Sequence, residues 1–268
     1  MKLAFSNIAW DAAEETAARD ILRQNGFAGI EVAPTKCWPD WQGAGPDSAG
    51  RLRAALRQDG FAVPAMQALL FGMPQLKVFG TAAEQAALVE HIAMVAGLAA
   101  ALGAGTLVFG SPRNRDRGEL DPDAASAQAL HVFRAMGEAC HAQGVWLGIE
   151  ANPAQYGCNF LTGWRDAAAF VRLCAHPGVR LHLDAACTYM AGDDVAEAVE
   201  QSADILVHVH ISEPELGLFA GPVADHARLA AALRQVDYQG WCSLEMRRAE
   251  PPLPAIETAA RFAREHYG

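Results

Sequence analysis

The 268-residue sequence has no cysteine pair at CxxC spacing, no long block of like charge and no GxGxxG turn after its first apolar segment. Each absence closes a class of function. The six cysteines (Cys37, Cys140, Cys158, Cys174, Cys187, Cys242) are scattered, so neither a zinc finger nor a disulfide framework is indicated, and a reducing cytoplasm is the expected setting. Without the glycine fingerprint, a doubly wound dinucleotide-binding sheet lacks its main support. The opening Met1-Lys2-Leu3-Ala4-Phe5-Ser6-Asn7 runs straight into a strand-like segment and lacks the apolar stretch and cleavage site of a secretory leader. Basic charge is also short: the net charge is −10, whereas phosphate neutralisation needs a basic face. Nucleic acid and anionic membrane are therefore not expected partners. One uncharged stretch, Ile92 to Pro112, is long enough to span a bilayer. Gly103-Ala104-Gly105 interrupts it, dividing an Ala/Leu-rich buried helix from a β-branched strand.

What is present is a repeat of strand and helix within one domain, residues 1–268. Eight short apolar runs read as strands: Leu3 to Ile8, Gly29 to Ala33, Ala62 to Leu69, Thr106 to Ser111, Trp146 to Glu150, Val179 to Asp184, Ile205 to Ser212 and Trp241 to Met246. Helically spaced stretches lie between them: Ala12 to Gln24, Ala49 to Gln58, Ala82 to Leu102, Ala124 to Gln143, Trp164 to Cys174, Val195 to Ser202 and His226 to Val236, with Ala255 to His266 after the last strand. Glycines 26, 60, 103, 144 and 240 stand just past helices, where the left-handed conformation ends a helix and returns the chain to the sheet. Strict alternation implies a parallel sheet with right-handed crossovers. Eight repeats closing on themselves give an α/β fold, the (β/α)8 or TIM barrel.

In such a barrel the active site is built at the C-terminal ends of the strands. The last four strands end Gly148-Ile149-Glu150, His182-Leu183-Asp184, His208-Val209-His210 and Ser243-Leu244-Glu245. Side chains on a strand alternate faces. If Glu150, Asp184, His210 and Glu245 point inward, the aliphatic Ile149, Leu183, Val209 and Leu244 all point outward at the helices, and the small or polar Gly148, His182, His208 and Ser243 share the interior. Parity agrees in every strand. Three carboxylates at one barrel mouth repel one another unless a cation sits among them. One divalent ion is expected, with ligand atoms about 2.0 to 2.3 Å away. Mn²⁺ or Mg²⁺ suits this hard donor set best, with Co²⁺ or Zn²⁺ as alternatives. His182 and His208, one layer deeper, either orient the ligands or are ordinary buried histidines.

These residues resemble the xylose-isomerase-like barrel superfamily of sugar isomerases and epimerases, which includes the apurinic endonucleases. The resemblance spans the whole chain and rests on GIE at Gly29-Ile30-Glu31, GIE again at Glu150, LD at Asp184, HVHISE around His210 and SLEM around Glu245. Its likeness to ketose 3-epimerases implies that Glu150, Asp184, His210 and Glu245 ligate the ion. It implies too that Glu150 and Glu245 act as the acid/base pair of a sugar isomerase or epimerase, through a metal-stabilised enediolate. Two departures bear on the substrate. Those epimerases carry a substrate-binding His where this chain has Cys187, and an Arg where it has Leu216.

Other residues are candidates for holding a small-molecule carbohydrate. Arg113, Arg115 and Arg117 follow the fourth strand and Arg247-Arg248 follow Glu245, which would suit a sugar phosphate or sugar acid. Trp38, with Trp41 and Trp10, could cover a sugar ring. Glu31, His182, His208 and Cys187 complete the candidate substrate-binding set. A competing reading is a metal-dependent phosphodiesterase of the apurinic-endonuclease kind. Its extra histidines are replaced here by Ala68-Leu69, Gly110-Ser111 and Cys187, and Asp225-His226 are adjacent rather than one residue apart. A non-catalytic sugar-binding barrel, or a lyase using the same enolisation, also fits the fold, and homo-oligomerisation is left open.

Overall fold

The computed structural model describes residues 1–268. Eight parallel strands, β1 (Lys2–Ser6), β2 (Gly29–Glu31), β3 (Ala65–Met66), β4 (Thr106–Phe109), β5 (Trp146–Glu150), β6 (Val179–Asp184), β7 (Leu206–Ser212) and β8 (Trp241–Glu245), form one sheet in the order β2-β1-β8-β7-β6-β5-β4-β3. The ends of that order meet through bridges at Gly29/Ala62 and Val32/Met66 rather than a full ladder. Backbone bonds from Ile30 to Ala62 (2.9 Å) and from Val32 to Ala65 (3.1 Å) close the wall. The third strand is thus shorter than the Ala62 to Leu69 run suggests. Pro64 offers no N–H there, and Ala68 adopts a positive φ of 53°, which turns the chain out of the sheet.

Helices α1 (Glu15–Gln24), α2 (Pro34–Cys37), α3 (Pro46–Gln58), α4 (Ala82–Leu102), α5 (Pro122–His141), α6 (Trp164–Cys174), α7 (Ala185–Met190), α8 (Val195–Ser202), α9 (His226–Gln235) and α10 (Pro252–Tyr267) connect the strands and surround them. Their starts follow capping chemistry: Thr81 and Glu84 form a reciprocal box on α4, and Asp121, Asp194 and Asp225 each accept backbone N–H bonds at their helix starts. The short α2 and α7 are additions to the sequence expectation. Gly26, Gly60, Gly103 and Gly144 take the left-handed conformation expected of them. Gly240 does not: α9 ends earlier, and Asp237 holds the positive φ of 52°.

The helix α4 is long and apolar enough, by length and composition, to cross a membrane. Here it packs beside α3 and α5 and buries Leu88, Ile92, Val95, Ala99 and Leu102 in the common core. The uncharged stretch Ile92 to Pro112 is divided as its glycines suggest, with Gly103 at φ 81° between α4 and β4. Outward-facing Ile149, Leu183, Val209 and Leu244 are all buried in that core. The parity argument therefore holds in each of β5 to β8, and their alternate residues face the barrel interior.

Candidate metal centre

His210, on β7, is the point on which the other three strand-end residues converge. Its Nδ1 stands 3.3 Å from Glu245 Oε2, 3.6 Å from Asp184 Oδ2 and 3.7 Å from Glu150 Oε1. Neighbouring β6 and β7 set Asp184 level with His210, while Glu150 is level with His182 and Glu245 with Ser212. The register is thus staggered, and it is the distances to His210 Nδ1 that bring the four side chains to one rim of the barrel. Nδ1 is buried yet makes no hydrogen bond to the protein. Two donors about 2.1 Å from one ion, at tetrahedral or octahedral angles, stand about 3.0 to 3.4 Å apart. The observed spacing sits at and slightly beyond that range, so the donor set fits a single divalent cation after small adjustments.

Beneath the rim lies a second polar layer. Glu31 of β2 reaches across the barrel to His210 Nε2 (3.1 Å) and His208 Nε2 (3.3 Å) and is wholly buried. By accepting from Nε2 it would leave the Nδ1 lone pair of a neutral His210 available to an ion held among the carboxylates. His182 Nε2 lies 3.3 Å from Glu150 Oε1, and the His182 and His210 rings meet edge to face at 4.2 Å. The donor atoms of Glu150, His182, Asp184 and His210 also lie within 4.8 Å of one another, a grouping with His182 in place of Glu245. The cavity above opens onto Glu150, Asp184 and Glu245 and onto neither His182 nor His210, so what distinguishes the rim set is that Glu245 reaches the cavity and His182 does not. His182, His208 and Glu31, expected among the substrate contacts, do not line the cavity: the two histidines stand two residues before Asp184 on β6 and His210 on β7, and Glu31, at the end of β2, is wholly buried against His208 and His210.

Burial and the charge of Asp184 push the Glu150 carboxyl up to about 7. Burial likewise raises Glu245. Asp184 goes the other way: burial opposes ionisation, but His210, the Cys187 N–H (2.6 Å) and the Ser212 hydroxyl (2.7 Å) hold it at about 2. Burial would discharge His210, yet the Glu31 and Glu245 charges lift it well above the usual histidine value. His182 is driven well below that value by burial and by its two histidine neighbours. Two of the three rim carboxylates thus resist ionising together, which a bound cation would relieve.

A cavity of about 450 Å³ stands over the rim, lined also by Asn152, Tyr156, Cys187, Ser212, Glu213, Glu215 and Leu216. No lysine or arginine lines it. Cys187 also lines the cavity, and burial with the Asp184 and Glu150 charges holds its thiol well above the usual range, which opposes the thiolate a nucleophile needs. The arginines are elsewhere. Arg113 is exposed, Arg115 is fully buried against Asn152, and Arg117 bonds Asn159 and the Leu120 carbonyl. Arg247 is exposed and donates to the Glu215 carbonyl (3.0 Å), and Arg248 pairs with Asp11, Glu14 and Glu250. Trp38 and Trp10 line a different cavity between β2, α1 and α3, and Trp41 packs edge-on against His91. The turn of α2 carries Trp38 outward from the mouth. His226 is also accounted for: it bonds Glu213 (2.7 Å) and Tyr267 (2.7 Å) inside the structure.

Asn152, Tyr156, Ser212, Glu213 and Glu215 were missed as cavity residues by sequence reasoning. Ser212 and Glu213 lay within HVHISE, and Asn152 stands two residues past Glu150, on the same parity. The same parity holds for Ser212, two residues past His210 on β7, so it was a usable signal for Asn152 and Ser212 but not for Tyr156, Glu213 or Glu215.

Comparison with known proteins is consistent with this architecture. L-ribulose 3-epimerase of Methylomonas sp. (strain DH-1) is 31% identical over 91 residues, 34% of this chain and 32% of the relative's length. The match thus spans about a third of that protein. The crystal structure of D-psicose 3-epimerase in the presence of D-fructose superposes with a TM-score of 0.81 at 16% identity, covering 100% of both chains. The IolI protein with a bound zinc atom gives 0.75 at 16% identity, over 99% of this chain and 96% of the other. Residues 19–266 match the family described as xylose isomerase-like TIM barrel, and the chain belongs to that family.

Proposed function

We propose that this protein is a divalent-metal-dependent sugar epimerase or isomerase that moves a carbon-bound proton with Glu150 and Glu245, on a substrate without charge. The observation that carries the reading is the convergence of three carboxylates on the unpartnered, buried Nδ1 of His210. Glu150, Asp184, His210 and Glu245 would hold the ion, with Mn²⁺ or Mg²⁺ best suited to them. A divalent ion supplies there the positive charge that makes a proton beside a ketone removable at neutral pH.

The chain's own groups do the rest. Glu150 and Glu245 stand on β5 and β8 with β6 and β7 between them, so they approach a sugar in the cavity from two sides. One removes a proton from carbon and the other returns one, which inverts or relocates a stereocentre. Without an ion, burial pushes Glu150 up to about 7 and raises Glu245; a cation would draw both back toward the carboxylate form in which each can accept a proton. Asp184, held ionised, serves only as a ligand. The named activities of the L-ribulose and D-psicose 3-epimerases support a ketose as the substrate type. Five acidic residues and no basic one line the cavity, which favours a neutral polyol over the phosphorylated or acidic sugar that the arginines suggested.

The same residues disfavour an endonuclease. His226 is engaged with Glu213 and Tyr267, and the ends of β3 and β4 supply no further histidine. The deciding experiment incubates the Mn²⁺-loaded protein with neutral ketoses in D₂O. Expected are solvent deuterium at the carbon beside the carbonyl and a loss of turnover of about 10²-fold or more in Glu150→Gln and in Glu245→Gln. Product free of deuterium would mean hydride transfer between carbons and would remove the two-glutamate mechanism.

A further inference from the structure

The loop after β4 carries an arginine for which neither the fold nor the cavity provides an evident use. Arg115 is wholly buried, and its Nη2 donates to Asn152 Oδ1 at 2.8 Å. Asn152 in turn donates from Nδ2 to Glu150 Oε2, also at 2.8 Å, and more weakly to Cys187 Sγ at 3.6 Å. The loop itself is fixed. Asn114, next to Arg115, gives its amide to the Met73 and Leu76 carbonyls (2.9 and 2.7 Å), and its own carbonyl accepts from Val78 N–H (2.8 Å).

The chemistry of this chain of bonds has one direction. A guanidinium has donors and no acceptor, so only the oxygen end of the Asn152 amide can face Arg115. The nitrogen end is thereby committed to Glu150, whose carboxylate only accepts. If the amide were reversed, two donors would meet at Arg115 and two acceptors at Glu150. With Oε2 held by Asn152, the other oxygen, Oε1, is the one presented toward His210 Nδ1. Gly110, at the end of β4, leaves the room for this pair: a Cβ there would lie 2.2 Å from Glu150 Oε2 and 3.2 Å from Asn152 Oδ1.

We propose that Arg115 is a positioning residue that fixes the amide orientation of Asn152 and, through it, which oxygen of Glu150 faces the metal position. The proposal rests on the reading of Glu150 as a metal ligand. Burying a cation here is costly, and its charge-assisted bond to Asn152 lies one residue removed from the cavity. A surface or phosphate-binding role would leave the guanidinium accessible, whereas this one is sealed in.

The test is titration of the full-length apoprotein with Mn²⁺ by calorimetry, with visible absorption of the Co²⁺-loaded protein as a report on coordination. Arg115→Met is expected to bind Mn²⁺ about 10-fold or more weakly and to shift the Co²⁺ bands, the usual size of an outer-support effect on a metal ligand. Arg115→Lys keeps a donor for Oδ1 and should stay within about threefold of wild type. Glu150→Gln separates the two claims: if it binds Mn²⁺ like wild type, the ligand assignment itself fails. If Glu150→Gln weakens binding while a folded Arg115→Met matches wild type in affinity and spectrum, the positioning role is overturned. Should Arg115→Met not fold, Asn152→Ala decides, since it breaks the relay and keeps the cation. It should lose about 10-fold in affinity with the same spectral shift, and wild-type behaviour would sink the proposal.

Discussion

Gly110→Ala is a one-methyl perturbation of the site whose consequence can be worked from distances. Gly110 has no positive φ, so alanine meets no backbone penalty there. Its Cβ would sit 2.2 Å from Glu150 Oε2 and 3.4 Å from Glu150 Cδ. Ordinary contact between carbon and oxygen needs about 1 Å more than the shorter of these, and a displacement of about 1 Å in a reacting or ligating group costs about 10² in rate. The backbone has little room to absorb the shift, because β4, ending one residue earlier at Phe109, is bonded to β5 along its length and to β3 at Thr106 and Leu107. Glu150 must therefore turn its carboxylate, at the expense of the Asn152 bond and of the approach to His210. The fold should hardly notice: one flexible side chain moves, and the stability change should be within about 1 kcal/mol. Turnover should fall about 100-fold, close to 2.7 kcal/mol of transition-state stabilisation, with Mn²⁺ affinity down about 10-fold. Thermal unfolding by circular dichroism, Mn²⁺ calorimetry and steady-state rates on the active ketose read the three quantities separately. A Gly110→Ala enzyme with wild-type affinity and turnover would show that Glu150 is not placed as described.

Two further substitutions probe the supporting structure. Gly97 lies inside α4 with nothing within 4 Å of an added Cβ, so Gly97→Ala should stabilise the protein by about 0.5 to 1 kcal/mol and leave metal binding unchanged; chemical denaturation showing a loss of stability would refute the open-space reading. Glu31→Gln replaces a buried carboxylate that serves two histidines, leaving an amide N–H against an imidazole, and should cost about 3 to 5 kcal/mol in urea unfolding; a cost under about 1 kcal/mol would mean the Glu31 pairings do not support the barrel.

The rim was readable because strand alternation is a local rule. Glu150, Asp184, His210 and Glu245 could be put on one face from their immediate neighbours alone, and the aliphatic residues beside them do lie in the outer core. Glu31 shows where local rules stop. Its partner His210 is 179 residues away, on a strand facing it across the barrel, and no period in the sequence records which side chains meet across an interior. Placed in a GIE motif, it looked like a contact for substrate, whereas it is wholly buried against His208 and His210. Arg115 was misread for a related reason. A loop arginine is exposed in most proteins, and only the folded-back turn after Ser111, at a left-handed φ of 48°, brings this one inside. Trp38 failed by the opposite displacement, since the turn of α2 swings it away from the mouth.

Substrate choice then falls to the loops after β5, β6, β7 and β8. Cys187 and Leu216, the positions at which the chain departs from the ketose 3-epimerase pattern, both line the cavity, together with Glu215 and Tyr156. The turn that carries Glu215 and Leu216 is strained: both residues hold positive φ, 59° and 54°, without being glycine. Three bonds hold it there. Glu215 N–H donates to the Tyr156 hydroxyl (2.8 Å), Arg247 N–H to the Leu216 carbonyl (2.9 Å), and the Arg247 side chain to the Glu215 carbonyl (3.0 Å). Arg247 thus acts on the cavity from outside, by fastening its wall, while no basic group inside offers a phosphate or carboxylate a partner. The rim that would hold the ion is built from regular strands and the adjoining cavity wall from a strained turn tied to a neighbouring loop. On the proposed function, replacements in that turn should alter which neutral sugar fits without moving Glu150 or Glu245.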